Sequence, residues 1–77
     1  MKVYYSHQCP DCTGIKDELE KRQYKIIDIS ESMMNLKEFL RLRDSRDEFQ
    51  AVKENGNVGI PAFLDEDGKI YFSLEEI

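Results

Sequence analysis

Ligands for a metal centre are scarce in this chain of 77 residues, which has two cysteines and one histidine. A structural zinc site takes four protein ligands, so Cys9, Cys12 and His7 cannot close one within a single copy. A site shared between two copies is the remaining metal route. No stretch approaches the roughly 20 apolar residues that a membrane span requires. Met1-Lys2 runs directly into Val3-Tyr4-Tyr5, without the apolar core of a secretory leader. The expectation is therefore a cytoplasmic protein with no membrane partner. In that reducing setting a permanent disulfide staple is not expected of two cysteines. Positive charge is also short: 11 Lys+Arg against 16 Asp+Glu give a formal net charge of −5. A phosphate backbone would be repelled, so nucleic acid is not an expected partner either. Repeats, low-complexity tracts and linkers are absent.

Against these absences stands a hydrophobic share of 40%, which supports a folded core rather than disorder. The length suits one domain, residues 1–77, and a monomer is expected. Residues 2–5 read as a strand. Residues 10 to about 22 read as one helix, with Cys12, Ile15 and Leu19 on a single face and Asp17–Lys21 and Glu18–Arg22 paired on the other. Gly14 falls inside this helix at a cost, for which close packing near the helix start is the expected reason. Residues 25–29 read as a strand covered on both faces. Residues 33–43 follow as a helix whose inward stripe is Met33, Leu36, Phe39 and Leu40. Ser45 with Glu48 has the pattern of a capping box. It opens a shorter helix that buries Phe49 and Val52 and stops at Asn55-Gly56. Residues 41–46 carry charges of both signs and read as a solvated junction. Residues 62–64 and 69–72 are strands joined by the loop 65–68. Ser73 with Glu76 signals a last, abbreviated helix. The fold class is α/β, in the order β-α-β-α-(α)-β-β. The first two strands are parallel neighbours by the right-handed crossover rule, in a small mixed four-stranded sheet flanked by helices.

The chemistry concentrates in Cys9-Pro10-Asp11-Cys12. Pro10 disfavours helical geometry at Cys9 and suits the first helical position itself. Cys9 is thereby the N-cap, and Cys12 lies one turn inside on the same face. Free N–H groups and partial positive charge at a helix start favour a thiolate, the species that attacks disulfides. Cys9 reads as the exposed nucleophile and Cys12 as the resolving thiol. Between a strand and a helix, the pair is a strong redox signal. Asp11 and His7 are candidate modulators. Asp11 places a negative charge beside the thiolate, or is only a favourable first-turn carboxylate; His7 supplies partial positive charge below neutral pH, or is a solvated loop residue. Asp28 reads as a strand-end or capping carboxylate.

Val3-Tyr4-Tyr5-Ser6-His7-Gln8-Cys9-Pro10-Asp11-Cys12, followed some fifty positions later by Gly59-Ile60-Pro61-Ala62-Phe63, resembles the glutaredoxin family within the thioredoxin superfamily. The likeness covers nearly the whole chain. It implies the thioredoxin fold, a cis proline at Pro61 facing the cysteine pair, and an Ile60 backbone that pairs with an extended substrate. It also implies that Gly59, without a side chain, lets that substrate come close. Three departures stand out. Ser6 occupies a position that is usually basic, Asp11 replaces a tyrosine, and Tyr71-Phe72-Ser73-Leu74 lacks the usual Gly-Gly turn. The backbone of Ser73 and Leu74 still offers N–H groups to a glutathione carboxylate.

The reading is a dithiol oxidoreductase that reduces disulfides of small molecules or proteins. It needs no bound cofactor. Glutathione, as co-substrate, or a flavoprotein reductase would recycle it. Two other readings stay open: a binding module of the same fold whose thiols do not turn over, and a metal- or iron–sulfur-binding homodimer bridged by Cys9.

Overall fold

Alternation of apolar side chains along short strands builds a sheet with two covered faces. The computed structural model describes residues 1–77. Its four strands are β1 (Lys2–Tyr5), β2 (Lys25–Asp28), β3 (Ala62–Leu64) and β4 (Ile70–Tyr71). They lie in the order β2-β1-β3-β4. β1 and β2 are parallel, with Val3 opposite Ile26 and Tyr5 opposite Asp28. β3 runs antiparallel to β1, with Val3 opposite Phe63, and β4 runs antiparallel to β3. The molecule is thus an α/β domain on a mixed sheet. No helix is long and apolar enough to cross a membrane.

Successive residues of a strand point to opposite faces, and two cores follow from that. Val3, Tyr5 and Phe63 pack with Cys12 and Leu19 on one side. Tyr4, Ile27 and Ala62 pack with Phe39 and Phe49 on the other. The first side is covered by two short helices, α1 (Pro10–Thr13) and α2 (Lys16–Lys21). The second is covered by α3 (Met33–Ser45), then a 3₁₀ turn at Asp47–Phe49 that runs into α4 (Gln50–Glu54). Phe39, Phe49 and Phe72 stack edge to face in sequence, with ring centroids 5.9 and 5.1 Å apart.

Several expectations are corrected. The single helix over 10–22 is two, broken at Gly14 and Ile15. Gly14 is exposed and closes α1, and a Cβ there would meet nothing nearer than the Pro10 carbonyl at 3.4 Å, so close packing is not its role. The chain avoids the cost of an interior glycine by ending the helix on it, and α2 restarts with Leu19 N–H bonded to the Ile15 carbonyl. Met33 lies outside the α3 stripe and is 67% exposed. It is the first helical residue after Ser32, whose Oγ accepts from Asn35 N–H at 3.1 Å, before the helix has turned onto the sheet. The Ser45–Glu48 box does not form. Ser45 ends α3 and donates to the Leu42 carbonyl, while Arg46 takes Glu48 at 2.6 Å. The junction at 41–46 is not merely solvated, because Arg43 donates to the Asn57 carbonyl and Arg46 to the Gly68 carbonyl. The expected fourth strand shrinks to two residues.

The hairpin matches its reading. Asp65 Oδ1 accepts from the N–H groups of Asp67 and Lys69 across the turn, and Gly68 takes the left-handed conformation at φ 87°. A single 3₁₀ turn, Leu74–Glu76, follows Ser73 as the last element.

Candidate active site

Pro10 at the first helical position forces the chain to enter α1 from an extended Cys9, at φ −99° and ψ 117°. The Cys9 carbonyl then accepts from the N–H groups of both Cys12 and Thr13, at 3.1 and 3.0 Å, which fixes the turn between the two thiols. Cys9 is half-buried and Cys12 has no exposed surface; no disulfide joins them. Burial pushes the Cys12 thiol up to about 12. A hydrogen bond from the Ser6 backbone works against that rise, while Cys9 and Asp11 add to it. Near neutral pH Cys12 is therefore a protonated thiol inside the core, beside a half-open partner. Because α1 has only four residues, the dipole behind Cys9 is far shorter than the expected helix would supply.

Opposite the pair runs residues 58–61, the approach to β3. The Ile60–Pro61 peptide bond is cis. Val58, Gly59 and Ile60 have no backbone partner in the fold, so their N–H and C=O groups are free. A groove of about 460 Å³ opens between this segment and the thiol turn, lined by Cys9, Asp11, Val58, Gly59, Ile60 and Phe72 among others. A second groove of about 480 Å³ adjoins it. Asp11, Ile60, Pro61 and Phe72 belong to both, and Ser73, Leu74 and Glu75 line its far end. The structure therefore brings Cys9, Asp11, Gly59, Ile60, Pro61, Ser73 and Leu74 to one face, with Cys12 beneath it.

One site expectation needs correction. The missing Cβ of Gly59 does not make room for a ligand: a Cβ there would sit 3.1 Å from Phe49 Cδ1 and Val52 Cγ1, and the residue has φ 101°. Glycine is required by the core beneath the segment and by the backbone. Ser6 is more than a missing basic residue. It is buried, its Oγ bonds the Ser30 hydroxyl and accepts from Gln8 N–H, and its backbone reaches Cys12. It anchors the loop from beneath, where a lysine would bury its charge.

His7 lies outside both grooves. Its Nδ1 is 2.7 Å from Asp28 Oδ2, and its backbone N–H approaches Asp28 Oδ1 at 3.4 Å. Burial pushes the Asp28 carboxyl up, but hydrogen bonds from His7 and from Ser30 N–H outweigh it and hold the group below its ordinary value. Sequence reasoning missed this pair. Its signal was the parallel pairing of β1 with β2, which starts the two loops at the same sheet end. No three His, Cys, Asp or Glu side chains converge as a ligand set.

The chain is 39% identical over 77 residues to an uncharacterized protein of Haemophilus influenzae, a match that spans 97% of this chain and 90% of that protein. No family model matches the chain. No solved structure matches it.

Proposed function

Since the chain belongs to the same family as that Haemophilus influenzae protein, whose name carries no activity, we propose from the site itself a dithiol–disulfide oxidoreductase of the thioredoxin fold. It is similar to the glutaredoxins and works in the cytosol through Cys9 and Cys12. One observation carries the reading: a half-exposed thiol at an extended N-cap, backed one turn later by a buried, protonated thiol, opens onto a groove with a free backbone edge. An incidental cysteine pair would not call for the strand-to-helix turn set by Pro10 or for the groove beside it.

The Cys9 thiolate attacks one sulfur of the substrate disulfide. A Cys9–substrate mixed disulfide forms, and the other substrate sulfur leaves as a thiolate. Cys12 then gives up its proton to solvent or to a departing thiolate and attacks the Cys9 sulfur. The Cys9–Cys12 disulfide closes and the second substrate thiol departs. Two electrons and two protons have passed to the substrate. Two molecules of glutathione, or a flavoprotein dithiol reductase, return them. The free edge at residues 58–60 would hold the substrate backbone extended during attack.

Reduction of insulin disulfides, followed separately with glutathione and with a thioredoxin reductase as donor, tests the reading. The wild type should turn over with at least one donor. Cys9→Ser should be inactive, and Cys12→Ser should accumulate a mixed disulfide. Wild-type rates no higher than those of Cys9→Ser would reject the proposal.

A further inference from the structure

Charge and free backbone at the paired grooves select among disulfides. Asp11, Ile60, Pro61 and Phe72 are common to the two grooves, so they form one surface that passes Cys9 and turns along the last 3₁₀ segment. Its charged lining residues are Asp11 and Glu75, and no lysine or arginine lines either groove. The basic groups around it are engaged or set back. Arg43 donates to the carbonyl of Asn57, a lining residue, but does not itself line the groove, Lys16 faces Glu20 at 3.9 Å, and Lys53 sits on α4 without lining the groove. Apolar side chains occupy both arms: Val52 and Val58 in the first, Ile15 and Leu74 in the second. The unpaired backbone of residues 58–60 borders the first arm.

Each feature constrains the occupant. Free N–H and C=O groups in an extended segment are satisfied by another extended backbone. Apolar arms take apolar side chains, and two uncompensated carboxylates favour cations and disfavour anions. Resting on the redox reading above, we propose that the preferred substrate is a polypeptide disulfide whose half-cystine is flanked by lysine or arginine, with an apolar residue nearby. An acidic peptide or a glutathione-like anionic tripeptide is selected against by the same two carboxylates. The exchange is the one already written: the substrate is reduced by two electrons as Cys9 and Cys12 are oxidised. Pre-reduced protein supplies those electrons for one turnover, so no donor enters the measurement.

The test is single-turnover oxidation of the pre-reduced full chain by four disulfides. Two are one short peptide in mixed disulfide form, carrying lysine in one version and glutamate in the other on both sides of the cysteine. The others are oxidised glutathione and cystamine, a cationic disulfide without a peptide backbone. At low salt the lysine peptide should react about tenfold faster than the glutamate peptide and glutathione, a gap that corresponds to about 1.4 kcal/mol. Added salt should shrink that gap severalfold. Cystamine should fall between the two peptides, since it has the charge without the backbone. Asp11→Asn combined with Glu75→Gln should bring the two peptides within about twofold of each other. Asp17→Asn combined with Asp44→Asn, an equal charge change on exposed helical surface outside both grooves, should leave the preference intact. Equal peptide rates, or a preference that survives the double variant, would overturn the charge selection. Cystamine as fast as the lysine peptide would overturn the polypeptide assignment. If none of the four oxidises Cys9, the redox reading itself fails, which is a different result from exchange without selection.

Discussion

Cys12 is the side chain whose surroundings most change its chemistry, and pH exposes it. Its folded-state value of about 12 lies above the ordinary 9.0, with burial as the main cause. The folded chain therefore holds this proton more tightly than the unfolded chain does. That contribution to stability is complete below pH 9 and is lost as pH rises toward about 12. Reduced wild type should lose stability more steeply across this window than Cys12→Ser, which has nothing to titrate there. Denaturant midpoints at a series of alkaline pH values measure the difference, and parallel profiles would contradict it. Asp28 behaves with the opposite sign. Its bonds to His7 and Ser30 lower its value from the ordinary 3.8, so its contribution is present above that pH and fades as pH falls through the lowered value. Asp28→Asn keeps an oxygen for Ser30 N–H but removes the charge. The variant should be destabilised by about 1 kcal/mol near neutrality and should lose less on acidification to pH 3 than the wild type does, as read from denaturant midpoints.

At the scale of elements, two glycines separate what the backbone demands from what it tolerates. Gly14 ends α1 at φ −65° and ψ −19°, ordinary helical values, and is exposed. Gly14→Ala should be stabilising by up to about 1 kcal/mol, through the unfolded chain. Gly59 has φ 101°, with Phe49 and Val52 in the way of a Cβ. Gly59→Ala should cost about 2 kcal/mol or more, since backbone and packing both resist it. Thermal unfolding of the two variants should shift in opposite directions, and a shared direction would refute the distinction. The pair also shows what could be read from sequence. A glycine amid helical periodicity looks the same whether the helix passes through it or stops, so the break at Gly14 stayed hidden. Strand positions for Val3-Tyr4-Tyr5 and the N-cap role of Cys9 were legible, because alternation and the restriction imposed by proline act locally. The Ser45–Glu48 box failed because Arg46 was the nearer partner for Glu48 and also reached the Gly68 carbonyl, a contact 22 residues away. His7–Asp28 and Ser6–Ser30 were invisible for the same reason: each joins two loops that meet only once β1 and β2 have paired.

For the molecule as a whole, the mixed sheet followed from element order and handedness, whereas the placement of β3 between β1 and β4 depends on which long-range pairing buries Phe63 and Ala62 best. Size and charge then set a property that no single residue decides. The longest extent is 31 Å and the formal net charge is −5. At roughly 0.01 M ionic strength the screening length is about 30 Å, so an approaching anion feels the charge of the entire molecule. At roughly 0.15 M it is about 8 Å, and only nearby groups such as Asp11 and Glu75 still act. Glutathione carries a net negative charge beyond its thiolate; mercaptoethanol carries none. Both attack the oxidised Cys9–Cys12 pair as thiolates, so the ratio of their rates cancels the charge of the attacking sulfur and isolates that of the body. The glutathione-to-mercaptoethanol rate ratio should rise severalfold between these two ionic strengths and remain below its value in free solution, because the site carboxylates are incompletely screened. In Asp11→Asn with Glu75→Gln the ratio should start higher and rise less. A ratio that stays flat or falls with salt, measured by stopped-flow at fixed pH, would mean that glutathione meets a compensating positive site on this surface.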